Sequence, residues 1–243
     1  MRDWIQELPD SNRILIPCID RIRTEIFQAD RAWSIYETIG RHSKDINDKN
    51  FGDVFASTQG AFLDQLTLSL TKLFEPANRR YEILSVPTLL DIVAANAEHL
   101  VILQDIELVK RFGFSKLQCP VIDANISLDV VRRLESLLPR REDTEACELS
   151  RSLTIHKTRR DKSVAHPEAV DPATLPATTW EDTRRLLDVA KQTVGVVGFT
   201  YASLALVVDD GSYILTSDAQ RGGRALTRLF RNAGIAPNEP VAA

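Results

Sequence analysis

Cysteine is scarce in this chain: Cys18, Cys119 and Cys147 are the only three in 243 residues, and they stand far apart. They form neither a Cys-x-x-Cys pair nor the dense, even set of a secreted disulfide scaffold, so free thiols in a reducing cytoplasm are expected. Long apolar runs are missing as well. The most apolar stretch, Val194 to Val208, is interrupted by two glycines, Thr200, Tyr201 and Ser203, which is short and polar for a membrane span and reads as a buried core helix. The start, Met1-Arg2-Asp3-Trp4, carries an acid before any apolar stretch, and Ile14-Leu15-Ile16 is cut by Pro17, so no signal peptide is expected. Nor is there an excess of one charge: 30 Lys plus Arg face 34 Asp plus Glu, a formal charge of -4. That balance excludes a protein that coats nucleic acid or membrane by bulk charge and leaves a local basic site open. Gly195 and Gly198 have no following Lys-Ser/Thr and no preceding strand, so they make no phosphate loop and more simply permit close helix packing. His42 and His99 stand apart from carboxylates or cysteines at metal-ligand spacing, so no metal and no cofactor is expected.

What is present is a globular composition, 44% hydrophobic and 26% charged, with apolar residues at helical spacing. Ile19, Ile22, Ile26, Ala29, Trp33 and Tyr36 predict a long amphipathic helix over about 12–40, with Pro17 in its early turns. A second spans about 51–74 and is stopped by Pro76; Ser85-Val86-Pro87 opens a third. Shorter helices are predicted around 100–111 and 127–138, the latter capped by Ser127, then one over 141–166. A Pro-rich loop at 167–176 leads to a helix capped at Thr178 or Thr179 and running to about Val208. A final helix at 213–233 is weakened in its first half by Gly222 and Gly223. No convincing strand alternation appears, with Tyr213-Ile214-Leu215 the nearest candidate. The expected fold class is all-α: a single domain over 1–243 of long antiparallel helices, with its core at about 11–208, a C-terminal helix and a frayed tail at 237–243.

The segment from Arg151 to His166 holds five Lys or Arg against one acid, Asp161, inverting the charge of the whole chain. At 100° per residue, Leu149, Leu153, His156, Arg160 and Val164 share one side of a helix, so His156 and Arg160 fall on or beside its buried seam, where arginine needs a partner. Pro167 biases His166 away from helical dihedrals and ends the helix. An arginine that grips phosphate, beside a histidine that exchanges protons near neutral pH, is the minimum equipment for phosphoryl transfer without a metal. The same residues also fit a solvated cationic helix end with His166 as an incidental cap.

Arg160-Asp161-Lys162-Ser163-Val164-Ala165-His166 resembles the Arg-polar-x(3 to 5)-His motif of the HEPN superfamily, in the form common in its abortive-infection AbiU-like branch. Leu73-Phe74-Glu75-Pro76 and Leu84-Ser85-Val86-Pro87-Thr88-Leu89-Leu90 resemble that branch's long helix, Leu-Phe-Asp-like break and Ser-x-Pro-x-Leu helix start, so the likeness covers about 50–170. The resemblance implies a helical bundle, usually a homodimer with the two motifs facing each other, and in active members a metal-independent endoribonuclease of phage defence or a toxin-antitoxin pair. It implies that His166 is general acid or base, that Arg160 stabilises the phosphorane, and that Asp161, where Asn is frequent in the branch, orients His166 or the 2′-hydroxyl. RNA is the implied partner, with an antitoxin or activator as another. The alternatives are a catalytically silent HEPN module that binds RNA, nucleotide or protein, and a purely architectural helical dimer. Arg159 is a rival for the motif arginine, being seven residues from His166. Together with Lys162 and His156 it is a weaker RNA-binding candidate.

A second constellation, Arg221, Arg224, Arg228 and Arg231, forms one basic stripe on a helix with no intervening acid, suited either to an RNA backbone or to pairing with acids elsewhere. Trp4, Trp33 and Trp180 are read as core or interface anchors.

Overall fold

In the computed structural model, residues 8–78, 80–104, 126–139, 148–165, 179–206 and 213–237 are described. A short turn of helix, α1 (Asp10–Arg13), precedes the long α2 (Ile16–Arg41). The predicted single helix over 12–40 is therefore split, because Pro17 has no N–H to give and is accommodated only in a helix's first turn, where it now sits. After α3 (Ser43–Asp48) comes α4 (Gly52–Leu73), then α5 (Val86–Ala95), whose start is capped as expected: the Ser85 hydroxyl accepts from the Thr88 N–H. Residues 100–104 are not helical, against the helix expected from 100. Ser127 lies inside α6 (Ile126–Glu135) instead of capping it, and accepts a 2.8 Å hydrogen bond from the Tyr201 hydroxyl.

α7 (Glu148–Arg159) continues into a π turn over Arg160–Ala165. Thr179 caps α8 (Trp180–Ala202), accepting from the Asp182 N–H at 3.0 Å and donating to the Asp182 carboxylate at 2.7 Å. That helix stops short of the predicted Val208: Ser203 turns left-handed (φ 51°), and the Leu204 N–H returns to the Gly198 carbonyl at 2.9 Å, a C-cap built without glycine. The last predicted helix is two, α9 (Thr216–Ala219) and α10 (Arg221–Asn232), and Tyr213–Leu215 precede them as a turn whose Ile214 N–H bonds Leu206 O at 3.0 Å. Among the described residues there is no strand, and no helix is long and apolar enough to cross a membrane.

α2 is the central helix, packed by α4, α8 and α10. It runs antiparallel to α4, since Glu25 meets Ser69 at one end and Tyr36 meets Gln59 at the other. The main core gathers Ile19, Ile22, Ile26, Leu66, Leu70, Leu89, Leu90, Val130, Leu134, Leu186, Val194 and Tyr201, so the apolar stretch is a buried helix as expected from 194 to 202, while Ser203 and Ala205 beyond its end are exposed. Cys18 lies in this core; burial pushes its thiol up to about 12, against a hydrogen bond donated to the Ser85 carbonyl, and it stays protonated. Asn12 is fully buried and tethers α1 to the rest: its amide donates to the carbonyls of Val101 (2.7 Å) and Tyr201 (2.8 Å), and its oxygen accepts from the Val101 N–H (2.9 Å).

A second cluster forms where α10 crosses the end of α2, around Ile35, Ile39, Ile46 and Phe230. Gly222 and Gly223 make that approach. A Cβ on Gly223 would collide with Ser34 Oγ and stand 2.8 Å from the Ser34 carbonyl oxygen, whereas one on Gly222 would meet side chains alone, Ile35 Cδ1 at 3.1 Å and Cγ1 at 3.3 Å and Arg31 Cγ at 3.9 Å. Alanine gains about 1 kcal/mol of helix propensity over glycine at either site. At Gly223 the backbone clash should outweigh it, giving a net loss of about 1–3 kcal/mol, while Gly222→Ala should be near neutral. Thermal unfolding of the two variants decides this; a stabilised Gly223→Ala would refute it.

Candidate functional site

α7 is anchored between α4 and α8 by a buried histidine. His156 is 3% exposed; its Nδ1 lies 3.4 Å from Thr67 Oγ1 and its Nε2 lies 3.2 Å from Thr183 Oγ1. The Thr183 hydroxyl already donates to the Thr179 carbonyl, so Nε2 carries the proton and donates, and Nδ1 accepts from Thr67. Desolvation, and secondarily Arg159, pull this histidine down to about 4, so it is neutral. Its expected role as an RNA-binding residue is corrected here: the ring is inside, and both nitrogens are taken. The helical periodicity that put it on the seam was right, and the seam is simply closed.

The proton balance gives a test. Between pH 4 and an unfolded value of about 6.5, the unfolded chain binds a proton that the folded chain refuses. Stability from this group is therefore complete above 6.5 and lost as pH falls toward 4, by about 3 kcal/mol in all. Denaturant midpoints measured across that window should slope upward with pH in the wild type and less steeply in His156→Gln. Equal slopes would remove the assignment.

The next residues turn outward. Arg159 reaches back toward α4, with Nη2 3.6 Å from Asp64 Oδ1, and its field partly offsets the burial that raises the Tyr36 phenol. Arg160 is 23% exposed and finds the partner its position demanded, in fact two: Nε donates to Asp161 Oδ1 at 2.7 Å and Nη1 donates to Glu75 Oε2 at 2.8 Å. Burial alone would lower its pKa; Asp161 and Glu75 outweigh that and raise it, so the guanidinium is permanently charged. Nη2 carries no hydrogen bond among the described residues. All of this sits at the start of the π turn, a widened helical geometry that recurs at functional sites. Asp161 thus lies against the arginine. Lys162 is half-buried and makes no ion pair among the described residues. His166 lies outside the described residues, as do Cys119, Cys147, Trp4, the loop at 167–176, the rest of the helix expected to 111, residues 141–147 and the tail from 238.

Glu75 was legible in the sequence only as part of the Leu73-Phe74-Glu75-Pro76 break, with no role attached; an acid beside a helix-stopping proline is the signal that marks it.

The arginine stripe is not brought to this site: α10 packs on α2, while the π turn packs on α4. Arg221 pairs with Asp218 at 2.8 Å and Arg224 donates to the Ser217 carbonyl at 2.6 Å; Arg228 is exposed and Arg231 half-buried. Trp33 and Trp180 meet edge to face with centroids 5.3 Å apart, and Tyr36 adds a third ring 4.5 Å from Trp180, which stays 44% exposed. His42 does have a carboxylate neighbour, Asp45, at 3.4 Å, but no group of three or more ligating side chains gathers among the described residues.

An all-α bundle with an Arg-polar turn held at the end of a packed helix is the arrangement expected of an HEPN-type domain. The HEPN family model described as AbiU2 matches residues 15–221, and the chain belongs to that family. Membership places it among abortive-infection-related modules that are nuclease-like or RNA-binding. Neither the curated proteins nor the solved structures contain a match to it.

Proposed function

We propose that this protein is a metal-independent endoribonuclease of phage defence or a toxin-antitoxin pair, acting in the cytoplasm as a homodimer whose motifs face each other. The observation that carries the reading is Arg160: a charged guanidinium, oriented by two carboxylates, with Nη2 left over to donate. In the reaction, the ribose 2′-hydroxyl loses its proton and attacks the adjacent phosphorus, the bond to the 5′-oxygen breaks, and that oxygen takes a proton. A cyclic phosphate and a 5′-hydroxyl result. Arg160 stabilises the charge gathering on the phosphorane oxygens, and His166 transfers a proton. Asp161, in direct contact with Arg160 through Oδ1, orients the guanidinium.

DNA lacks the 2′-hydroxyl and should be inert. Incubating the full chain with single-stranded RNA and with DNA of the same sequence, in excess EDTA, should give RNA fragments ending in a cyclic phosphate and intact DNA. Cleavage of both, or cleavage abolished by chelation, would refute the mechanism. Binding of RNA without any cleavage would favour a second reading, a silent RNA-binding module. Its supporting observation is that Asp161 and Glu75 already neutralise Arg160 through Nε and Nη1, leaving Nη2 alone for phosphate.

A further inference from the structure

We infer that Glu75, together with the Ser85 hydroxyl that fixes its backbone, is the positioning element for Arg160; the inference rests on the ribonuclease reading above. Glu75 sits just past the end of α4, on a different element from the π turn, and its carboxylate spans to Arg160 Nη1 at 2.8 Å. Its main chain is held as well. The buried Ser85 hydroxyl donates to the Glu75 carbonyl at 2.6 Å while accepting from the Thr88 N–H in the first turn of α5. One serine thus caps α5 and fixes the residue before Pro76, and the acid it fixes reaches the motif arginine on the π turn packed beside α4.

The division of the guanidinium is informative. Asp161 takes Nε from the arginine's own turn, Glu75 takes Nη1 from α4, and together they define the plane of the group. Two anchors on different nitrogens stop rotation about the terminal bonds, which one anchor does not. The remaining Nη2 protons then point in one fixed direction, which is the requirement for a donor that must meet charge developing on phosphate oxygens. Glu75 touches neither RNA nor the reacting atoms; it acts through Arg160. Removing it releases a cation that still binds phosphate but no longer in register.

The test compares full-length wild type, Glu75→Ala and Glu75→Gln. Alanine should lower kcat about 10- to 100-fold, the scale of a displacement near 1 Å, with KM unchanged or lower. Glutamine retains an acceptor at the same reach and should restore most of kcat, a rescue that a merely structural role would not require. In parallel, the guanidinium ¹⁵N signals of Arg160, assigned by their loss in Arg160→Lys, should be separate for Nη1 and Nη2 in the wild type and averaged by rotation in Glu75→Ala. Wild-type cleavage that is unaffected in Glu75→Ala overturns the positioning role and leaves the nuclease reading standing. A wild type that never cleaves refutes the nuclease reading and with it the catalytic purpose of the clamp, while averaged wild-type signals refute the clamp itself.

Discussion

Arg160→Ala is expected to reduce RNA cleavage about 10²- to 10³-fold, the loss typical of removing one preorganised donor to a developing oxyanion. The magnitude follows from where the side chain sits. It is charged, three-quarters buried and tied to Glu75 and Asp161, so under the proposed mechanism no reorganisation is needed when the phosphorane forms. Arg160→Lys should fall nearly as far, because one ammonium cannot hold Oδ1 of Asp161 and Oε2 of Glu75 in a plane and still offer a directed pair of protons. His166→Ala should match these losses if the two act as one unit, and the double variant should then be little worse than either single one. Arg159→Ala is the control: that side chain points at Asp64, so cleavage should change much less. An Arg159 variant as damaged as the Arg160 variant would mean that the motif arginine has been misassigned. Single-turnover rates on one RNA substrate read the five variants against wild type.

Much of this was local and therefore legible. Ser85 and Thr179 are caps that need only their own next turn to act, and both were found where the pattern put them. The demand for a partner at Arg160 was legible too, as a charged residue on an apolar face. Its answer was not, because Glu75 lies 85 positions away and reaches the arginine only through the packing of α7 on α4. His156 shows the converse limit: periodicity placed it on the seam, but only the two threonines from α4 and α8 reveal that it is sealed in and neutral. Gly222 and Gly223 looked like weakness in a helix. They are an approach surface, which only the position of Ser34 on α2 makes visible.

The largest stability loss should come from a pair that sequence reasoning did not single out. Asp30 on α2 is 8% exposed and Lys191 on α8 12%, and they meet at 2.7 Å. The second carboxylate oxygen accepts from Thr216 at 2.7 Å, and the ammonium lies 6.0 Å from the centre of the Tyr213 ring. One carboxylate therefore joins α2, α8 and the start of α9, beside a cleft of about 260 Å³ that Arg41, Arg184 and Arg224 also line. Forming such a pair costs most of what it gains, because both ions give up water. Breaking it is different: Asp30→Ala leaves a buried ammonium without a counter-charge and the Thr216 hydroxyl without an acceptor, at about 3–5 kcal/mol. Asp30→Asn keeps the shape and the acceptor and should lose less. Replacing both partners, Asp30→Leu with Lys191→Met, removes the stranded charge and should recover a large part of the loss. Equilibrium denaturation of wild type, Asp30→Ala, Asp30→Asn, the singles Asp30→Leu and Lys191→Met, and their double variant reads the coupling directly. Additive losses in the double variant would mean that the two groups do not interact, and an Asp30→Ala protein within 1 kcal/mol of wild type would mean that water in the cleft already screens the ammonium.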